Sequence, residues 1–238
     1  RSYDGTSIAL EPAMTQPRGN GYIGGTATSG ITSGGSAPGS TANCEEFDRS
    51  INTITAAAWA SGGNMNTPRA ENFGVSGTIP AAVAFGGYTP GSPNATANSE
   101  EYNGTSWTEG NNLGTARYGL AGAGIQTASL AFGGNAPSQT AATEEFTGAG
   151  ADIGAWSTGG SLNTGRRYSG RSGTQTSALA FGGDADGTNG VANTEQYNGA
   201  SWTEVADIPT AMGDSGMIEV YTAGALAGGE PASGTSNE

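Results

Sequence analysis

Histidine and lysine are both absent from this chain, and cysteine occurs once. Without histidine there is no Ser-His-Asp or Cys-His relay and no His-bearing zinc site; without lysine there is no Schiff base and no P-loop. The single Cys44 excludes an internal disulfide and a Cys-based metal cluster. It stands beside an aromatic position in a strand-like run and reads as a small buried hydrophobe. Charge is scarce as well: charged residues make up 12% of the chain, about half the usual ~25%. All eight basic residues are arginine, set against 21 acidic ones for a net charge of −13. Such a surface gains nothing from nucleic acid or from an anionic membrane, so neither is expected as a partner. No stretch approaches the roughly 18 apolar residues of a spanning helix, so no membrane insertion is expected. The chain opens on Arg1 rather than Met, which reads as a piece of a larger chain or assembly.

What is abundant is glycine, 43 residues of the 238, interleaved with four Trp, eight Tyr and six Phe at regular positions. Many short strands joined by tight turns, with aromatics to fill a core, account for both. The regularity is a repeat. Glycine doublets at Gly34-Gly35, Gly86-Gly87, Gly133-Gly134, Gly182-Gly183 and Gly228-Gly229 recur every 46 to 52 residues, close to the ~50 of a four-stranded propeller blade. An aromatic column, Phe47, Tyr102, Phe146 and Tyr197, keeps the same spacing. So does a Trp column, Trp59, Trp107, Trp156 and Trp202, which holds every Trp of the chain. Arg18, Arg69, Arg117 and Arg167 open the units. Asn-Gly in Tyr102-Asn103-Gly104-Thr105-Ser106-Trp107 is a strong hairpin signal joining the third strand of a unit to the fourth.

The expectation is an all-β fold, a five-bladed β-propeller of four-stranded antiparallel blades. Whole blades cover about 15–66, 67–114, 115–164 and 165–210. The fifth blade is split: 211–238 supplies its first two strands and 1–14 the rest, since Arg1-Ser2-Tyr3-Asp4-Gly5-Thr6-Ser7-Ile8 aligns with Glu100 to Trp107. N- and C-terminal strands sharing one blade close the ring and remove the free sheet edge.

The glycine doublet, then Tyr, then Trp resembles the kelch repeat family over essentially the whole chain. Glu100-Glu101-Tyr102-Asn103-Gly104-Thr105-Ser106-Trp107 with Ala178-Leu179-Ala180-Phe181-Gly182-Gly183 looks more narrowly like kelch-like repeats in large proteins of marine bacteriophages and environmental bacteria. The resemblance implies a non-catalytic protein-interaction or structural module in a virion or on an extracellular surface, such as a fibre or accessory protein making host or assembly contacts. Its partners would be a protein or a surface glycan, and a carbohydrate-binding propeller is the alternative. Oxidases with the kelch fold resemble one another in a copper site that needs His, which is absent here.

Carboxylates are the remaining candidates for chemistry. Glu45-Glu46, Glu100-Glu101, Glu144-Glu145 and Glu195-Gln196 repeat from unit to unit, whereas a glycosidase needs one unique pair. They read as partners of the opening arginines, a pairing that the split unit lacks because Met212 and Ser2 stand at the corresponding positions. Arg18, Arg69, Arg117 and Arg167 could instead ring one end of the channel and bind an anion. Asp184, Asp186 and Asn189 offer oxygen ligands in a glycine-containing loop, a candidate Ca²⁺ site against the simpler reading of an Asp-Gly turn. The Trp column reads as packing between blades. Loops after the doublets, such as 88–93, and third-to-fourth connections, notably 50–58 and 147–155, vary most and are the expected binding face.

Overall fold

A computed structural model describes residues 58–70, 73–90, 95–148, 154–187 and 189–213. It also describes the shorter runs 2–3, 8–9, 14–15, 22–25, 29–36, 42–48, 216–218, 225–227 and 230–231. Every described element is a strand, and the strands form four four-stranded antiparallel sheets. The first holds Tyr22–Gly25, Ser29–Ser33, Cys44–Asp48 and Ala58–Ser61. The second holds Gly74–Thr78, Ala81–Phe85, Ser99–Tyr102 and Trp107–Glu109. The third holds Ala121–Ile125, Ala128–Phe132, Thr143–Thr147 and Ala155–Thr158. The fourth holds Gly170–Thr174, Ser177–Phe181, Thr194–Tyr197 and Trp202–Val205. Three further pairs complete the set: Ser2–Tyr3 with Ile8–Ala9, Gly216–Ile218 with Ala225–Ala227, and Met212–Gly213 with Glu230–Pro231.

The sheets are copies in register as well as in content. Tyr22 pairs with Ser33, Gly74 with Phe85, Ala121 with Phe132, Gly170 with Phe181 and Gly216 with Ala227. In each case the residue just before a glycine doublet faces one 11 positions back. The first strand of each sheet packs against the first strand of the next, from Tyr22–Gly25 through the four sheets to Gly216–Ile218. Sheets arranged in this way are stacked side by side around their first strands, a propeller-like arrangement.

Each doublet is a joint between sheets. Gly86 and Gly87 have φ of 65° and 109°, values that L side chains rarely adopt. A Cβ on Gly86 would stand 2.8 Å from the Arg117 carbonyl oxygen of the next sheet. Freed of side chains, the doublet donates across the boundary: Gly35 N–H to Arg69 O, Gly87 to Arg117 O, Gly134 to Arg166 O and Gly183 to Met212 O.

The core lies between sheets. One cluster joins Ile31 and Cys44 of the first sheet to Phe73, Val75, Tyr102 and Trp107. A second joins Val83 and Phe85 to Leu120 and Ala131, with Trp156 against it. A third joins Leu130 and Phe132 to Ala178, Tyr197 and Trp202. The tryptophans therefore pack sheet on sheet: Trp156 on Phe85 with ring centroids 4.7 Å apart, and Trp202 on Phe132 at 4.8 Å. Cys44 is buried in the first of these clusters.

Candidate functional site

Two sets of polar residues gather at the end of the sheets that carries the doublets. The first repeats and is sealed. Arg69, Arg117 and Arg166 are fully buried. The Nη2 of Arg69 pairs with Glu100, that of Arg117 with Glu144 at 2.9 Å, and that of Arg166 with Glu195. Each Nη1 donates to two backbone carbonyls, Gly86 and Asn98 for Arg69, Gly133 and Ala142 for Arg117, Gly182 and Asn193 for Arg166. The glutamates reach back to the preceding connection. Glu100 accepts from the Asn66 backbone N–H at 2.6 Å and its side-chain amide at 3.0 Å, and Glu195 accepts likewise from Asn163. Glu144 accepts from the Gly114 N–H. Burial pulls the Arg69 and Arg117 pKa values below the ordinary one, against the opposing pull of Glu100 and Glu144.

These clamps correct the sequence reading in three respects. The fourth unit opens with Arg166, not Arg167. The paired acid is the first of each doublet, Glu100 rather than Glu101, so Ser2, which aligns with Glu101, says nothing about this pairing. Arg69 and Arg117 are enclosed and neutralised, so neither is open to an anion. Arg18 lies outside the described residues. Met212 does take the arginine position, since its carbonyl receives the Gly183 N–H as the arginine carbonyls receive theirs.

The second acids form a separate, cross-sheet set. The Tyr102 hydroxyl donates to Glu46 of the preceding sheet, and the Tyr197 hydroxyl to Glu145. Burial first, then the carboxylate, pushes both phenols up to about 12.

Beyond the clamps lies a set that does not repeat. The residue after each arginine bridges to the residue after the doublet: Ala70 with Tyr88, Tyr118 with Asn135, Arg167 with Asp184. Tyr88 and Tyr118 meet edge to face at 6.0 Å across one boundary, and the Asn135 side-chain amide donates to the Tyr118 hydroxyl. Across the next boundary, Tyr168 N–H donates to Gly119 O at 2.7 Å. The Arg167 guanidinium lies 4.9 Å from the Tyr168 ring centroid. Its Nε and Nη2 both reach Asp184 Oδ2 at 2.9 Å. Burial opposes the Arg167 charge, yet the hydrogen bond with Asp184 and the nearby Tyr168 and Tyr118 prevail and raise its pKa.

The three residues read as a calcium candidate are committed elsewhere. Asp184 Oδ2 is held by Arg167, and its Oδ1 accepts the N–H groups of Asp186 and Gly187. Asp186 in turn accepts both the backbone and the side-chain N–H of Asn189. This is a turn closed by its own donors. Among the described residues no group of three His, Cys, Asp or Glu is placed to hold a metal ion.

The variable loops also divide. In an antiparallel meander, successive connections alternate between the two ends of the sheet. The loops after the doublets therefore leave from the end that carries Arg167 and Tyr168, and the third-to-fourth connections leave from the opposite end. They do not make one face.

Comparison with known proteins supports the fold. No protein-family model matches the chain, and no curated protein matches it. Among solved structures, YjhT, a kelch-type β-propeller-like fold, is similar with a TM-score of 0.71. The match covers 89% of this chain and 72% of that one at 12% identity. At that identity the likeness is one of fold, and the chain is an all-β, propeller-like protein.

Proposed function

We propose that the chain is a five-bladed kelch-type propeller and a non-catalytic interaction module whose doublet end contacts the partner. The fifth blade is the C-terminal hairpin Gly216–Ile218/Ala225–Ala227 joined by the N-terminal pair Ser2–Tyr3/Ile8–Ala9. Two registers support it. Gly216 faces Ala227 as first-strand residues do in the four sheets. Tyr3 faces Ile8 as Tyr102 faces Trp107 and Tyr197 faces Trp202.

The observation that carries the function is the contrast at one end of the fold. The repeating arginines and their paired acids are consumed in the scaffold. Arg167 and Asp184, which differ from unit to unit, sit at its rim as a bridged pair just outside the strands, and recognition residues are usually found on such connections held by a rigid scaffold. The lack of His and Lys, with Glu100, Glu144 and Glu195 all spent on clamps, supports a role without catalysis. The resemblance to phage and environmental bacterial repeats supports a virion or extracellular surface setting, as a fibre or accessory domain in host or assembly contacts. Carbohydrate binding is the second reading, favoured by the tyrosines gathered at the same rim.

Blocking one end at a time tests this. In a Cys44→Ala background, Ser138→Cys at the doublet end or Thr105→Cys at the other is capped with a bulky maleimide, and adsorption to host envelope or assembly partner is measured. Loss with Ser138 capped alone is expected. Loss with Thr105 capped alone overturns the assignment.

A further inference from the structure

We infer that the doublet end at the boundary of the third and fourth sheets is a site for a neutral saccharide, built from Tyr118, Asn135, Arg167, Tyr168 and Asp184 with Tyr88 at its margin. The inference rests on the reading that the doublet end is the recognition end.

Tyr168 carries the argument. It has φ of 56°, the sole positive value for a non-glycine among the described residues. Gly119 holds the equivalent place in the third sheet at φ 65°. The scaffold thus accepts glycine there without strain, and a tyrosine is held there against its own backbone preference. Strain of this kind persists only where the surroundings over-determine it, and it concentrates at binding sites. Here it is fixed from three sides. The Tyr168 N–H donates to the Gly119 carbonyl, and Arg167 covers the ring. Gly119 lets both side chains approach, since a Cβ on it would stand 2.8 Å from the Tyr168 ring and 3.2 Å from the Arg167 Cβ.

The neighbours supply a consistent chemistry. Arg167 and Asp184 cancel each other's charge, while their side chains keep 21% and 12% exposure. Asp184 is saturated by Arg167 and by its own turn, so it fixes the guanidinium in place, and the N–H groups of Arg167 not spent on Asp184 are the donors offered to a sugar hydroxyl. Tyr118 receives a hydrogen bond from Asn135, which leaves its own proton to donate. The half-buried rings of Tyr88, Tyr118 and Tyr168 offer apolar surface for the C–H face of a sugar. The doublet-end loops 88–98 and 135–142 contain no charged residue, and in 184–193 Asp184 is neutralised by Arg167, which leaves Asp186 as the remaining charge of these three loops in a chain of net charge −13. A neutral ligand suits that surroundings better than an ionic one. The size fits as well. A stable protein interface takes about 20–30 residues a side, whereas this cluster of six matches one or two sugar rings.

The test is titration of the full chain, followed by NMR, with methyl glucoside, methyl galactoside, methyl mannoside, N-acetylglucosamine and, as the acidic comparator, sialyllactose. At least one neutral sugar is expected to bind saturably. Tyr168→Gly is expected to weaken it about tenfold or more without lowering the melting temperature, because glycine relieves the strain. Thr105→Ala, at the other end, is expected to leave binding unchanged. Binding of sialyllactose alone, binding unaltered by Tyr168→Gly, or no binding overturns the saccharide site. If sugars fail while the Ser138 cap still blocks the partner, the recognition end stands and only its ligand class falls. If the Ser138 cap has no effect either, both fall.

Discussion

At the boundary between the third and fourth sheets, Trp202 donates its indole N–H to Thr143, stacks on Phe132 and is buried, while Tyr197 donates to Glu145. At the boundary between the second and third, Ser99 stands for Thr143 and Phe146 for Tyr197. There Trp156 is only half-buried, and its Nε1 and the Ser99 Oγ are both buried without a partner. For Glu101, the counterpart of Glu46 and Glu145, the aromatic column of the next sheet supplies Phe146, which has no hydroxyl to donate, in place of a tyrosine. The same plan is thus completed at one joint and left short of two hydrogen bonds at the next. Stability in a stacked repeat is the sum of its joints, so neighbouring boundaries of one fold differ in strength through single atoms. Thr194 extends the pattern. Its hydroxyl is buried without a partner, and the residue that aligns with Trp202 in the terminal repeat is Ile8, whose side chain has no donor to replace the indole N–H.

The largest effect expected from breaking this contrast is at the tryptophans. Trp202→Ala should cost about 3–5 kcal/mol in denaturant unfolding. Trp156→Ala should cost clearly less, because part of its ring already meets water. Equal losses would show that the two boundaries are equivalent. Next come the phenols. Tyr197→Phe should cost about 1–2 kcal/mol by leaving the half-buried Glu145 without its donor. Phe146→Tyr should gain about 1 kcal/mol by giving Glu101 a donor. A loss on Phe146→Tyr would mean that the boundary has no room for the hydroxyl.

The smallest effect is on pH dependence. Burial raises the Glu101 pKa, so the folded state holds this proton more tightly than the unfolded chain. Its contribution to stability is full below the ordinary carboxylate range, about pH 4, and is lost as pH rises through the raised value. Unfolding measured between pH 4 and 7 should show this slope reduced in Glu101→Gln and in Phe146→Tyr. A slope unchanged in Glu101→Gln would assign it to other carboxylates.

The repeat was legible in the sequence because its columns are set by demands that only certain residues meet: glycine at the doublet joints, aromatics between sheets. The clamp was legible as a pairing but not in its partners. Both residues of Arg166-Arg167 and both of Glu100-Glu101 have the right charge, and adjacent strand residues face opposite ways. The spacing held a signal, since Arg166 stands 16 residues ahead of its doublet, as Arg117 does. Asn66 and Asn163, each three residues ahead of a clamp arginine, were a second signal. The Asp184 loop was legible as an Asp-Gly turn, but its ion pair was not, because the cation that claims it, Arg167, lies 17 residues away in sequence. The Tyr–Glu bonds reach across sheets over more than 50 residues and follow from no local pattern.

Closure of the ring is the central claim, and a cross-link tests it most directly. In the second sheet Val83 faces Glu101, and the same register in the proposed fifth blade would set Ala225 opposite Ser2. Directly opposed strand residues lie within disulfide reach. Ser2→Cys with Ala225→Cys, in the Cys44→Ala background, should form an intramolecular disulfide under mild oxidation with no fall in melting temperature. Failure to cross-link, or cross-linking only between molecules, would contradict a ring closed by its own two ends.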